Sequence, residues 1–126
     1  MSGAWYSHFV TPSGSEHYCW LTVIQRFRAL YGTIKIKKIP NKGEIQYLTY
    51  RMNGEIRLKF VDWVAHNQDP HAIGMEVTLL EAVSGGHILA GKGVWCSVEG
   101  GKIDAMDFRW ARKCPWDDTV LPPPGT

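Results

Sequence analysis

The stretch that most constrains this chain runs from Leu89 to Lys113, LAGKGVWCSVEGGKIDAMDFRWARK. Alternating runs flank Gly100-Gly101. Paired glycines there signal a tight antiparallel hairpin, because both central residues of such a turn need positive φ. That register sets Glu99 opposite Lys102, Val98 opposite Ile103 and Trp95 opposite Met106. One face then collects Gly91, Gly93, Trp95, Met106, Phe108 and Trp110; the other carries Lys92, Val94, Cys96, Ala105, Asp107 and Arg109. The first face is a core wall, and its glycines let a strand bend hard or another group approach its backbone. A long, glycine-kinked, aromatic hairpin suits the seam of a small closed barrel.

The remainder of the chain supplies staves for that barrel. Ala4 to Val10 alternates, with Trp5, Ser7 and Phe9 on one face. Thr11 to Ser15 is a turn by composition. Tyr18 to Leu30 is β-branched and aromatic, and its end, Arg26 to Leu30, reads equally as strand or helical turn before Gly32 breaks the run. Thr33 to Ile39 puts Ile34 and Ile36 on one face and Lys35 and Lys37 on the other, a half-buried strand with a solvated side. After the Pro40 to Gly43 turn, Ile45 to Met52 and Glu55 to Trp63 form a hairpin about Asn53-Gly54, the strongest short hairpin signal present. His66 to Pro70 is a polar loop, and Ile73 to Val83 pairs through Gly85-Gly86 with Ile88 onward. The expected fold is all-β: an up-and-down, roughly eight-stranded antiparallel barrel over residues 1–113, calycin-like, with at most one short helix. Residues 114–126, proline-rich and acidic, form a tail or strap. Such a barrel is just wide enough to be filled by side chains or to hold one small ligand.

Composition narrows the function. One domain's worth of chain, 126 residues, carries six tryptophans and five tyrosines, so the core or a cavity is aromatic. A net charge of +2 argues against coating a DNA or RNA polymer. Cys19, Cys96 and Cys114 are odd in number and widely spaced, which indicates neither a disulfide framework nor a zinc site, and a reducing compartment is the simpler reading. No run reaches the ~18 apolar residues of a membrane span, and no signal peptide is visible. The chain reads as soluble, although Met1-Ser2-Gly3 leads straight into a strand, as a chain trimmed of an upstream anchor would.

No catalytic motif of the P-loop, zincin, Rossmann or nucleophile-elbow kind is present. His8, His17, His66, His71 and His87 fall mostly in loops or at strand ends, where solvated or capping roles are the rule. His66 and His71 lack a partner cysteine, so no metal is expected. Asp104 and Asp107 lie on opposite faces and cannot work as a close acid/base pair. Asp117-Asp118 is a solvated patch. No cofactor is indicated.

Binding residues are easier to nominate. In the Asn53-Gly54 register Tyr50, Arg57 and Lys59 share a face, an aromatic plane beside two cations suited to an anionic, ring-bearing ligand. The same face also reads as the wet outside of a barrel. Arg51 shares the other face with Tyr47, Ile56, Leu58 and Phe60, which puts it at the barrel mouth or makes it a buried cation needing an anion. Trp5 and the Arg109/Arg112 pair come from first and last strands, so an arginine can close the barrel over the tryptophan ring. Trp20, Trp95 and Trp110 are core aromatics, and a ring at the mouth can stack on a base. The candidate ligand residues are therefore Tyr50, Arg51, Arg57, Lys59, Trp95 and Arg109.

Gly3-Ala4-Trp5 with a late arginine resembles the G-x-W and closing Arg of calycins. A longer resemblance runs through Gly3-Ala4-Trp5-Tyr6-Ser7, Thr22-Val23-Ile24-Gln25, Leu89 to Trp95, Gly100-Gly101-Lys102-Ile103 and Phe108-Arg109-Trp110. These segments resemble the β-barrel of the two-transmembrane, β-strand-rich effectors of bacterial CBASS antiphage defence. The resemblance implies a non-enzymatic receptor for a cyclic di- or oligonucleotide, whose binding drives homo-oligomerisation and disruption of the inner membrane. It also implies a place at the cytoplasmic face of that membrane if an N-terminal anchor was trimmed, and in the cytoplasm otherwise. The chain departs from the pattern in lacking both transmembrane helices. A lipocalin-like carrier of an apolar ligand is the alternative, and an enzyme built around Arg51 and a carboxylate such as Asp62 ranks last.

Overall fold

The computed structural model describes residues 1–70, 74–97 and 102–124. Eight strands succeed one another: β1 Gly3–Val10, β2 Glu16–Arg26, β3 Ala29–Ile39, β4 Gln46–Arg57, β5 Phe60–Asn67, β6 Gly74–Val83, β7 Ile88–Ser97 and β8 Lys102–Ala111. Each pairs antiparallel with its sequence neighbour, and β8 returns to β1, closing the barrel in the order β1 to β8. The expected all-β barrel is the observed fold. One 3₁₀ turn, Ser84–Gly86, is the helical content among the described residues, and no helix there is long and apolar enough to cross a membrane.

Period-2 patterning explains why the sheet curls around one core. Leu21 and Val23 of β2, Leu30 and Ile34 of β3, Met52 of β4, Val61 and Trp63 of β5, and Leu80 of β6 are all at most 1 % exposed. Burial of each such side chain contributes about 1.5–3 kcal/mol. Trp63 and Trp110 meet edge to face at 5.8 Å across this core. The seam is sparser than the other pairings. Tyr6 opposite Ala111 is its ladder pair, and Ser7 Oγ adds a bond to the Arg109 carbonyl at 2.7 Å. Arg112 covers the Trp5 ring, as expected of the closing arginine.

Two turns differ from the sequence reading. Asn53-Gly54 lies inside β4, where Asn53 pairs with Val64 and Gly54 with Trp63. The glycine is there for proximity: a Cβ on it would stand 2.0 Å from the Asp62 carbonyl oxygen and 2.7 Å from Trp63 Cβ. The chain turns instead at Leu58-Lys59, between Arg57 and Phe60, with Leu58 in the left-handed region at φ 56°. Gly32 likewise continues β3, because a Cβ there would meet the Thr22 carbonyl at 2.4 Å. Arg26 to Leu30 resolves as a two-residue hairpin, Arg26 pairing with Ala29 around Phe27-Arg28.

The β7–β8 hairpin exists with a shifted register. Trp95 faces Asp104, and Gly93 faces Met106. An offset of two residues preserves the faces, so Trp95, Phe108 and Trp110 still look inward. The Gly100-Gly101 turn, with Val98 and Glu99, lies outside the described residues, as do His71 and Ile73. After β8 the chain runs back along the outside of the barrel. Trp116 packs edge-on against Tyr6, Tyr18 and Trp20 at 5.9, 5.2 and 5.1 Å. Trp20 is therefore an outer-wall residue under this strap and not a core one.

Candidate functional site

The half of the barrel next to the β1–β2 and β3–β4 turns is incompletely filled. Its cavity has a volume of about 70 Å³ and opens to solvent. Phe9, Trp95 and Phe108 form an aromatic collar. Phe9 meets Phe108 edge to face at 5.3 Å, and Trp95 lies 6.0 Å from Phe108. Ile34, Ile36 and Leu48 make the opposite wall, and Trp110 closes the floor. Alternation places these residues at inward positions of their strands, with Phe108 and Trp110 toward the far end of β8.

Four polar groups enter this apolar cup: His17, Cys19, Tyr50 and Glu76. Glu76 is 9 % exposed and accepts a 2.5 Å hydrogen bond from Thr78 Oγ1. Burial raises its pKa above the ordinary carboxyl value, opposed by the Thr78 hydrogen bond. His17 stacks on Phe9 at 4.6 Å with ring planes 10° apart. Burial, with the nearby Lys38 charge, lowers its pKa to about 4 and keeps the imidazole neutral at pH 7. Burial pushes the Cys19 thiol up, which makes it a poor nucleophile. Tyr50 is raised by burial and by Glu76.

Among the described residues three buried ring nitrogens have no hydrogen-bond partner: His17 Nδ1, Trp63 Nε1 and Trp110 Nε1. Trp63 Nε1 sits close enough to Glu76 to favour its charged form, yet falls outside hydrogen-bond geometry. Unpaired buried polar atoms are uncommon, and two of these line the cavity. Above them, Lys38, Ser13, Ser15 and Asp104 border a shallower groove at the rim, shared with His17 and Trp95.

The six nominated ligand residues divide between two faces. Tyr50 and Trp95 line the cavity. Arg51, Arg57, Lys59 and Arg109 are exposed on the outside of the barrel or at its far turns. The expected grouping of Tyr50 with Arg57 and Lys59 fails because it rested on a turn at Asn53-Gly54. Arg57 instead pairs with Glu55 at 2.5 Å, and Lys59 with Glu81 at 2.8 Å. Arg51 is neither at the mouth nor buried: it pairs in the ladder with His66 on the outer surface, and Asp62 is also exposed.

The sequence reading overlooked His17, Cys19, Lys38 and Glu76. His17 had a usable signal, since it shares parity with Cys19, Leu21 and Val23. Glu76 had a misleading one. In β6 the outward set is Met75, Val77 and Leu79, while the inward set includes Glu76 and Thr78, the reverse of ordinary polarity. Among the described residues no cluster of His, Cys, Asp or Glu could hold a metal ion. No protein-family model, curated protein or solved structure matches the chain.

Proposed function

We propose that the barrel is a non-enzymatic receptor that seats the flat ring of one small ligand in its mouth. The ligand class is a cyclic di- or oligonucleotide, read in a CBASS-type antiphage response. The observation that carries this reading is the unpaired Trp110 Nε1 and His17 Nδ1, lining with the buried Glu76 one cup inside an aromatic collar. A nucleobase presents a π-face for Trp95 and Phe9 and an edge of alternating donors and acceptors for these polar atoms. Among the described residues lining the cup there is no Lys or Arg, which suits the base and not the phosphate. Phosphates would stay at the rim against Lys38. Occupancy of the mouth would be the signal, and assembly of copies the output. The absence of an activated thiol at Cys19 favours binding over covalent chemistry.

The apolar wall of Ile34, Ile36 and Leu48 favours a second reading, a carrier of an apolar molecule. The two separate in a thermal-shift titration with cyclic di- and trinucleotides, linear dinucleotides and fatty acids at low and high salt. A receptor shows a selective, salt-weakened shift with one cyclic nucleotide. That shift should fall at least tenfold in apparent affinity in Lys38→Glu, and also in Trp110→Phe, which keeps an aromatic ring, though a smaller one, and removes the N–H. A shift with fatty acids alone, indifferent to salt, would sink the receptor reading, as would no shift with any compound.

A further inference from the structure

The end of the barrel opposite the mouth displays two apolar fingertips. β2 and β3 turn through Phe27-Arg28, and β4 and β5 through Leu58-Lys59. Phe27 and Leu58 both adopt positive φ, 55° and 56°. Asn, Asp or Gly ordinarily occupies such a position. Here the strained sites carry a phenylalanine 99 % exposed and a leucine 96 % exposed, above every other large apolar side chain among the described residues. The two tips are neighbours, because β3 pairs with β4 and the Ile56 N–H donates to the Arg28 carbonyl at 2.8 Å.

Charge surrounds the tips asymmetrically. Arg26, Arg28, Arg57 and Lys59 flank them, against the three acids Glu55, Asp62 and Glu81. The third turn at this end, Ser84–Gly86, is small and uncharged. Behind Phe27, the outward ladder pair Ile24 and Tyr31 remains 55 % and 50 % exposed.

We propose that this end docks onto an anionic lipid bilayer, with Phe27 and Leu58 inserted among the acyl chains and the flanking cations at the headgroups. Two protruding side chains offer far less than the ~800 Å² per partner of a standard protein interface. A fluid bilayer needs no matching surface: it closes around separate apolar tips while arginine and lysine stems reach up to phosphates. Apolar insertion combined with cationic attraction is the two-signal arrangement that peripheral attachment requires.

Co-sedimentation with phosphatidylcholine vesicles, with and without one third phosphatidylglycerol, tests this. The wild-type chain should bind the anionic vesicles and release in high salt. Phe27→Asn/Leu58→Asn, which suits the left-handed turn and so preserves the fold, should bind roughly tenfold or more weakly. Arg28→Glu should also lose binding, whereas the same reversal at the mouth, Lys42→Glu, should not. Circular dichroism melts confirm folding of each variant. The proposal is overturned by absence of binding to anionic vesicles, by equal binding of the Asn double variant, or by equal loss in Lys42→Glu. Binding of the nucleotide panel is read separately and does not enter this result.

Discussion

The Arg112 guanidinium lies 4.2 Å from the centre of the Trp5 ring, where the first and last strands of the barrel meet. Trp5 is 1 % exposed, and its Nε1 donates to the Met1 carbonyl at 2.9 Å. The contact thus clamps the start of the chain and the end of β8 onto one ring. Arg112→Ala should cost about 0.5–2 kcal/mol in urea unfolding, with Arg112→Lys recovering part. No loss in either variant would remove the clamp from the account.

Gly54 should tolerate no side chain. A methyl group there meets the Asp62 backbone, which cannot swing aside as a long side chain would. Gly54→Ala is expected to cost about 3 kcal/mol, while Asn53→Thr, at an exposed strand position, should be neutral or mildly stabilising. Were Asn53-Gly54 a turn, the order would differ, with Asn53→Thr damaging.

The turn at Leu58 stores strain. Leu58→Asn should raise stability by about 1 kcal/mol, because asparagine visits the left-handed region more readily. An unchanged or lower denaturation midpoint would show that Leu58 makes compensating contacts.

Stability should depend on pH through two opposed groups. His17 ionises near 6.5 in an unfolded chain but near 4 in the barrel. Between those values the unfolded state holds the extra proton, so stability falls as pH drops from about 6.5 to 4. His17→Gln should flatten that limb. Glu76 works in reverse. Its folded pKa is raised, so its contribution is complete below the ordinary value of 4.5 and is lost as pH rises through the folded pKa. Glu76→Gln should therefore stabilise the protein at pH 8 relative to wild type and leave it nearly unchanged at acid pH. Melting curves across pH 4 to 8 read both limbs.

The barrel was legible because period-2 alternation is a local signal. Trp5, Ser7, Ile34, Phe108 and Trp110 declare their faces within a few residues of chain. A two-residue error in the β7–β8 register left those faces intact. The error at Asn53-Gly54 did not. A glycine can mark a turn or a close strand crossing, and only the position of Trp63 and Asp62 on the next strand tells which. Moving that turn five residues scattered Tyr50, Arg57 and Lys59 and removed Arg51 from the interior. The mouth was harder still to read. Glu76 and Thr78 face inward against the polarity of β6, since Met75, Val77 and Leu79 make the apolar stripe that alternation would assign to the core. His17 and Lys38 acquire their relation only through β2–β3 pairing.

The sparse β1–β8 seam has a kinetic consequence. Seven of the eight pairings join strands adjacent in sequence and form at the cost of short loops, whereas the eighth brings together residues more than a hundred positions apart. Long-range closure is entropically the slowest kind of contact to make, and it comes with little ladder to hold it. The barrel is thus a curled eight-strand sheet that shuts last along one line and, under native-state hydrogen exchange, should open first along the same line.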